Sequence, residues 1–96
     1  MEVTRVLKEK RNEILRIAAK YGATNIRIFG SVARGESDDS SDVDFLVKFA
    51  LGVTLIHQSA LIRELEALLG GKVDVVSENG LRPRIRERIM KEAIPL

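Results

Sequence analysis

With 96 residues, 45% of them apolar and 31% charged, the chain has the balance of one soluble domain with a single modest core. Its 16 basic and 14 acidic residues leave a net charge of +2, too even to imply nucleic-acid binding on charge alone. The absence of cysteine excludes disulfides and thiolate metal sites and fits a cytoplasmic setting, and no apolar run approaches the length of a membrane span.

In chain order, the opening MEVTRVLKEKRNE is charged and amphipathic, unlike a signal peptide. From about Glu2 to Tyr21 the pattern predicts a helix, with Val3, Val6, Leu7, Ile14, Ile17, Ala18 and Tyr21 near one stripe and Gly22 as its stop. NIRIF is a short β-rich run ended by Gly30. DVDFLVKF alternates, placing Val43, Phe45, Val47 and Phe49 on one face and Asp42 and Asp44 on the other. Helical spacing returns from about Val53 to Leu69, through Leu55, Ile56, Leu61, Ile62, Leu65, Leu68 and Leu69, and the pair Gly70-Gly71 ends it. KVDVV reads as a third strand, with Val73 and Val75 opposite Asp74. Pro83 suits the first turn of a last helix, PRIRERIMKEA.

The order α-β-β-α-β-α describes one small α/β (α+β) domain over residues 1–96, without repeats or linkers. If the second and third strands are parallel, Asp42, Asp44 and Asp74 lie near the same end of the sheet, all opposite the valine face. If the first and second strands are antiparallel, Gly30 and Ser31 end beside those aspartates. Clustered carboxylates repel one another and call for cations, and an all-oxygen donor set selects hard ions, above all Mg²⁺ or Mn²⁺. A strand-Gly-Ser turn that opens a short helix offers backbone N–H groups to an anion, and Gly35 closes that segment. Phosphates beside carboxylate-held metal ions are the parts of two-metal phosphoryl or nucleotidyl transfer.

Gly30-Ser31, ten intervening residues and then Asp42-Val43-Asp44 resemble the signature of the polymerase-β-type nucleotidyltransferases. The longer stretch GSVARGESDDSSDVDFLV is similar to that of the minimal nucleotidyltransferases, or MNT domains. It runs Gly-Ser-x-Ala-Arg-Gly, a polar gap, Ser-Asp-x-Asp and an apolar strand. Asp74 in KVDVV matches the family's third carboxylate, so the resemblance covers nearly the whole chain. It implies a small mixed sheet with helices packed on one face. It also implies transfer of a nucleoside monophosphate from a triphosphate to a hydroxyl, with release of pyrophosphate. Asp42 and Asp44 would bridge two Mg²⁺ ions, and Asp74 would hold the catalytic ion and help deprotonate the acceptor. Gly30 and Ser31, with Arg34, would hold the triphosphate of ATP. Small members are typically encoded beside a HEPN-domain RNase toxin, and antitoxic members transfer AMP to a tyrosine of that toxin.

Several plainer readings compete. Asp38 and Asp39 read as solvated loop acids. An EF-hand counted from Asp38 would need Gly at Val43 and Glu at Phe49, and is rejected. His57 has no second ligand in sight and reads as a helix-surface or satisfied histidine. Tyr21 reads as core packing. The tail RPRIRERIMK reads as a solvated helix face with Ile85, Ile89 and Met90 as its apolar stripe. The functional alternative is that its arginines contact the partner or ATP phosphates, and its apolar residues could serve a subunit contact. A non-catalytic antitoxin that neutralises a HEPN partner by covering it is the alternative function. Transfer to RNA or to a small aminoglycoside-like acceptor is disfavoured, because 96 residues leave no room for the further domains that larger members use. So small a domain has little wall for a nucleotide base, which predicts loose nucleotide choice or a pocket completed by a partner.

Overall fold

The computed structural model describes residues 3–36 and 42–96, so Glu2 and the loop acids Asp38 and Asp39 lie outside the described residues. The elements are α1 (Val3–Glu9), α2 (Arg11–Lys20), β1 (Ala23–Phe29), α3 (Gly30–Arg34), β2 (Val43–Phe49), α4 (Leu55–Leu69), β3 (Val73–Ser77), a 3₁₀ turn (Glu78–Gly80), α5 (Pro83–Glu92) and β4 (Ile94–Pro95). The strands form one mixed sheet in the order β3-β2-β1-β4. β1 and β2 are antiparallel, β2 and β3 parallel, as the site argument requires.

The expected first helix is two helices, bent at Lys10. Hydrogen bonds continue on both sides, from the Lys10 N–H to the Val6 carbonyl at 3.0 Å and from the Ile14 N–H to the Lys10 carbonyl at 2.9 Å. The bend falls in Lys8–Asn12, a polar run with no apolar anchor to hold it against the sheet. Gly70 takes the left-handed backbone that terminates α4, and Pro83 occupies the first turn of α5. The helical stripe of α4 begins later than its pattern suggested. Leu61, Leu65 and Leu69 are buried, but Leu55 and Ile56 are 79% and 78% exposed, because the first turn serves the cap rather than the core. Thr54 accepts from the His57 N–H and the His57 ring Nδ1 accepts from the Thr54 N–H at 3.0 Å, a capping box that accounts for the single histidine.

A β-bulge sets which face each residue of β1 presents. Pairing slips between Thr24 and Arg27, around Asn25 at φ +52°, a left-handed conformation that asparagine tolerates. Strict alternation from Ala23 would carry Arg27 into the main core. The extra residue resets the phase, so Ile26 and Ile28 join Ala23 in that core and Arg27 turns to the other face.

The main core lies between the sheet and α1, α2 and α4. It contains Leu7, Ile14, Ala18, Phe45, Val47, Leu61, Leu65 and Val75. The packing of helices on one face therefore holds for these three, while α5 adds partial cover to the opposite face. There Leu46, paired with Arg27, is fully buried, and Ile89 of α5 is also buried, both outside the main cluster. Arg27 pairs with the Glu78 carboxylate, and its guanidinium also donates to the Met90 sulfur at 3.1 Å. The short strand β4 pairs with β1 at Arg27 and Ile28. Two residues, one of them proline, are too few to show strand periodicity, so β4 had no sequence signal.

Candidate active site

β1 delivers the chain to the site. Phe29 is its last residue, and Gly30 turns into α3 with φ +78°, a conformation that any side chain would disfavour. A Cβ at Gly30 would fall on the Asp44 carboxylate, 3.1 Å from its Cγ and 3.4 Å from its Cβ. Glycine here lets the backbone lie directly against Asp44. Val32 is buried and anchors α3 to the core, and Gly35 at φ +75° closes the helix with its N–H on the Val32 carbonyl at 3.2 Å. The Glu36 N–H donates to the Ser31 carbonyl at 2.9 Å, which further fixes the turn.

β2 brings in the first pair of carboxylates. Val43 and Phe45 are buried in the main core, which turns Asp44 to the opposite face. Asp44 sits opposite Phe29 on one side and Asp74 on the other. Neighbouring residues in register project to the same face, so Asp44 and Asp74 stand side by side. Asp44 is half-buried, while Asp42 and Asp74 are exposed. The Asp44 carboxyl is held above the ordinary aspartate range, first by burial and then by the negative charges of Asp74, Asp42 and Glu92; Arg34 opposes the shift. Gly30 thus lies against Asp44, Asp74 stands in register beside Asp44, Asp42 acts on Asp44 through its charge, and Ser31 follows Gly30, half-buried in α3.

Arg34 leaves the last turn of α3 and is shared between two carboxylates. Its Nε donates to Glu36 at 2.8 Å and its Nη1 to Glu92 of α5. Both contacts push its guanidinium further up from an already high value. Between α3 and α5 lies an open cleft of about 680 Å³, walled by Phe29, Gly30 and Arg34 on one side and by Arg88, Ile89 and Glu92 on the other. Glu92 has no motif around it in the sequence; the docking of α5 alone brings it to the site.

The donor set suits a hard divalent cation. All its ligating atoms would be carboxylate oxygens, and their mutual repulsion is what a cation would relieve. Among the described residues, no three acidic or histidine side chains close into a ready-made metal cage.

Residues 8–96 match the nucleotidyltransferase domain family. The chain belongs to that family. A Methanocaldococcus jannaschii protein assigned as a protein adenylyltransferase is 40% identical over 88 residues, covering 92% of this chain and 95% of the relative. The protein adenylyltransferase MntA of Thermococcus cleftensis is 34% identical over 93 residues, covering 97% and 91%. A solved structure assigned as a minimal nucleotidyltransferase superposes with a TM-score of 0.87 at 50% identity, covering 96% of this chain and 94% of that one. The fold is shared more distantly with a chain in the complex of a tri-AMPylated Shewanella oneidensis HEPN toxin with its MNT antitoxin. There the TM-score is 0.71 at 18% identity, covering 99% of this chain and 71% of that one. In this fold the end of β1, with Gly30 after it, and the starts of β2 and β3, with Asp44 and Asp74, lie at one end of the sheet. Among the described residues, no helix is long and apolar enough to cross a membrane.

Proposed function

We propose that this nucleotidyltransferase moves AMP from ATP, in the presence of Mg²⁺, to a tyrosine hydroxyl of a HEPN RNase toxin, and thereby acts as its antitoxin in the cytoplasm. The observation that carries this reading is the alignment of Asp44 between the Phe29-Gly30 turn and Asp74, with backbone and carboxylate in direct contact. The adenylyltransferase relatives support the choice of AMP, and the fold shared with a chain in the complex of a tri-AMPylated HEPN toxin with an MNT antitoxin supports the choice of partner.

In this reading the whole chain works as one catalytic domain. Gly30 and Ser31 hold the triphosphate through backbone N–H groups and a hydroxyl, with Arg34 at the rim of the cleft. Asp42, Asp44 and Asp74 are the residues that would hold a pair of Mg²⁺ ions, or Mn²⁺ in their place. Bound there, the ions would stabilise negative charge on the α-phosphate and on the departing pyrophosphate. The acceptor oxygen attacks the α-phosphorus, the α–β anhydride bond breaks, and pyrophosphate leaves. Exposed Asp74 takes the acceptor's proton and passes it to water.

The test is label transfer from α-phosphate-labelled ATP and Mg²⁺ to a HEPN-domain protein encoded beside this one, with Asp42→Asn in parallel. Label on the partner, lost with the variant, is the expected result. A stable complex without label would replace transfer by a binding-only antitoxin.

A further inference from the structure

Three cationic side chains line the cleft between α3 and α5: Arg34, Arg88 and Lys91. Two of them already face carboxylates. Arg34 is divided between Glu36 and Glu92, and Lys91 stands 3.6 Å from Glu87, one turn earlier on the same helix. Among the described residues, no carboxylate lies within ion-pair distance of Arg88. Arg88 shares the wall of the cleft with Gly30, and the Gly30 backbone in turn lies against Asp44.

A nucleoside triphosphate brings about four negative charges to such a site, most of them on the β- and γ-phosphates. Arg34 offers little net charge there, because two glutamates offset it. We propose that Arg88 of α5 is the residue that binds the β- and γ-phosphates of the nucleotide, and therefore the pyrophosphate that leaves. This rests on the nucleotidyltransferase reading of the site and adds a phosphate ligand from outside the Gly-Ser and aspartate motifs. It also gives the arginine-rich last helix a specific task. Arg88 belongs to the cleft, whereas Arg86 lines a separate groove with Leu81, Pro83 and Met90. A planar guanidinium suits two phosphate oxygens at once.

The test compares Mg-ATP and AMP binding by calorimetry for the unmodified chain, Arg88→Ala, Arg88→Lys and Arg86→Ala. Arg88 and Arg86 are both exposed, so neither change disturbs the core. Arg88→Ala should weaken ATP about tenfold or more while leaving AMP within about twofold, because AMP lacks the phosphates concerned. Arg88→Lys should recover part of the loss, and Arg86→Ala should bind ATP as the unmodified chain does. Equal weakening of ATP and AMP, unchanged ATP binding in Arg88→Ala, or an equal loss in Arg86→Ala would each overturn the assignment. If the unmodified chain itself binds no Mg-ATP, the nucleotidyltransferase reading falls and this assignment with it.

Discussion

Replacing Gly30 by alanine isolates the close approach on which the site depends. Gly30 and Gly35 have nearly the same backbone, φ +78° and +75°, so alanine at either position meets the same left-handed strain. That strain is worth about 1–2 kcal/mol. In a domain of this size each kcal/mol lowers Tm by roughly 4–8 °C. The two positions differ in what the new methyl touches. At Gly35 there is nothing within 4 Å, whereas at Gly30 the methyl overlaps the Asp44 carboxylate and lies 3.1 Å from its Cγ. Either the carboxylate or the turn must move, and a displacement of about 1 Å at a reacting centre costs on the order of 10²-fold in rate. Gly35→Ala should therefore lose stability but keep AMP transfer within a few-fold. Gly30→Ala should lose at least as much stability and, while still folded, about 10²-fold in kcat/KM. Urea unfolding and label transfer, both below the lower of the two Tm values, measure the pair. If folded Gly30→Ala transfers AMP as well as Gly35→Ala, the contact between Gly30 and Asp44 is not what organises the site.

Asp44→Asn should abolish transfer yet stabilise the metal-free protein at pH 7. The native fold holds the Asp44 proton more tightly than the unfolded chain, so ionisation costs stability above the raised native pKa. The advantage should fade as pH falls through the raised native pKa and vanish below the ordinary aspartate value of about 3.9, where both states are protonated; a variant less stable than its parent at pH 7 in urea titrations would contradict the electrostatics. In thermal melts Mg²⁺ should raise the Tm of the parent more than that of Asp44→Asn. Glu78→Ala should cost about 3 kcal/mol in urea unfolding, because it strands Arg27, whose side chain is 9% exposed. The double change Arg27→Met with Glu78→Leu should recover most of that loss, and failure to recover would mean that the pair is needed for more than mutual neutralisation. Thr54→Ala should lower stability by about 0.5–1 kcal/mol, the low end for a cap whose 3.4 Å contact with the His57 N–H is long.

Local chemistry made much of this protein legible in its sequence. The alternation of Val43, Phe45 and Val47 against Asp42 and Asp44 requires only that one face of a strand be buried, and that face is buried. Gly22, Gly35, Gly70 and Pro83 end or begin helices because their backbone preferences act on the spot, whatever the rest of the chain does. The spacing of Gly30, Ser31, Asp42 and Asp44 was readable for the same reason, since it joins the end of one strand to the start of its neighbour. Tertiary structure decided what depends on distant residues. The bulge at Asn25 sends Arg27 to the second face, where it meets Glu78, 51 positions away. The docking of α5 carries Glu92 to Arg34 across 58 positions and sets Arg88 in the cleft. The fourth strand exists only because Ile94 and Pro95 find an open edge on β1. Periodicity and capping extend over one or two turns of chain, whereas these contacts exist only once the sheet has formed and α5 has a surface to lie on.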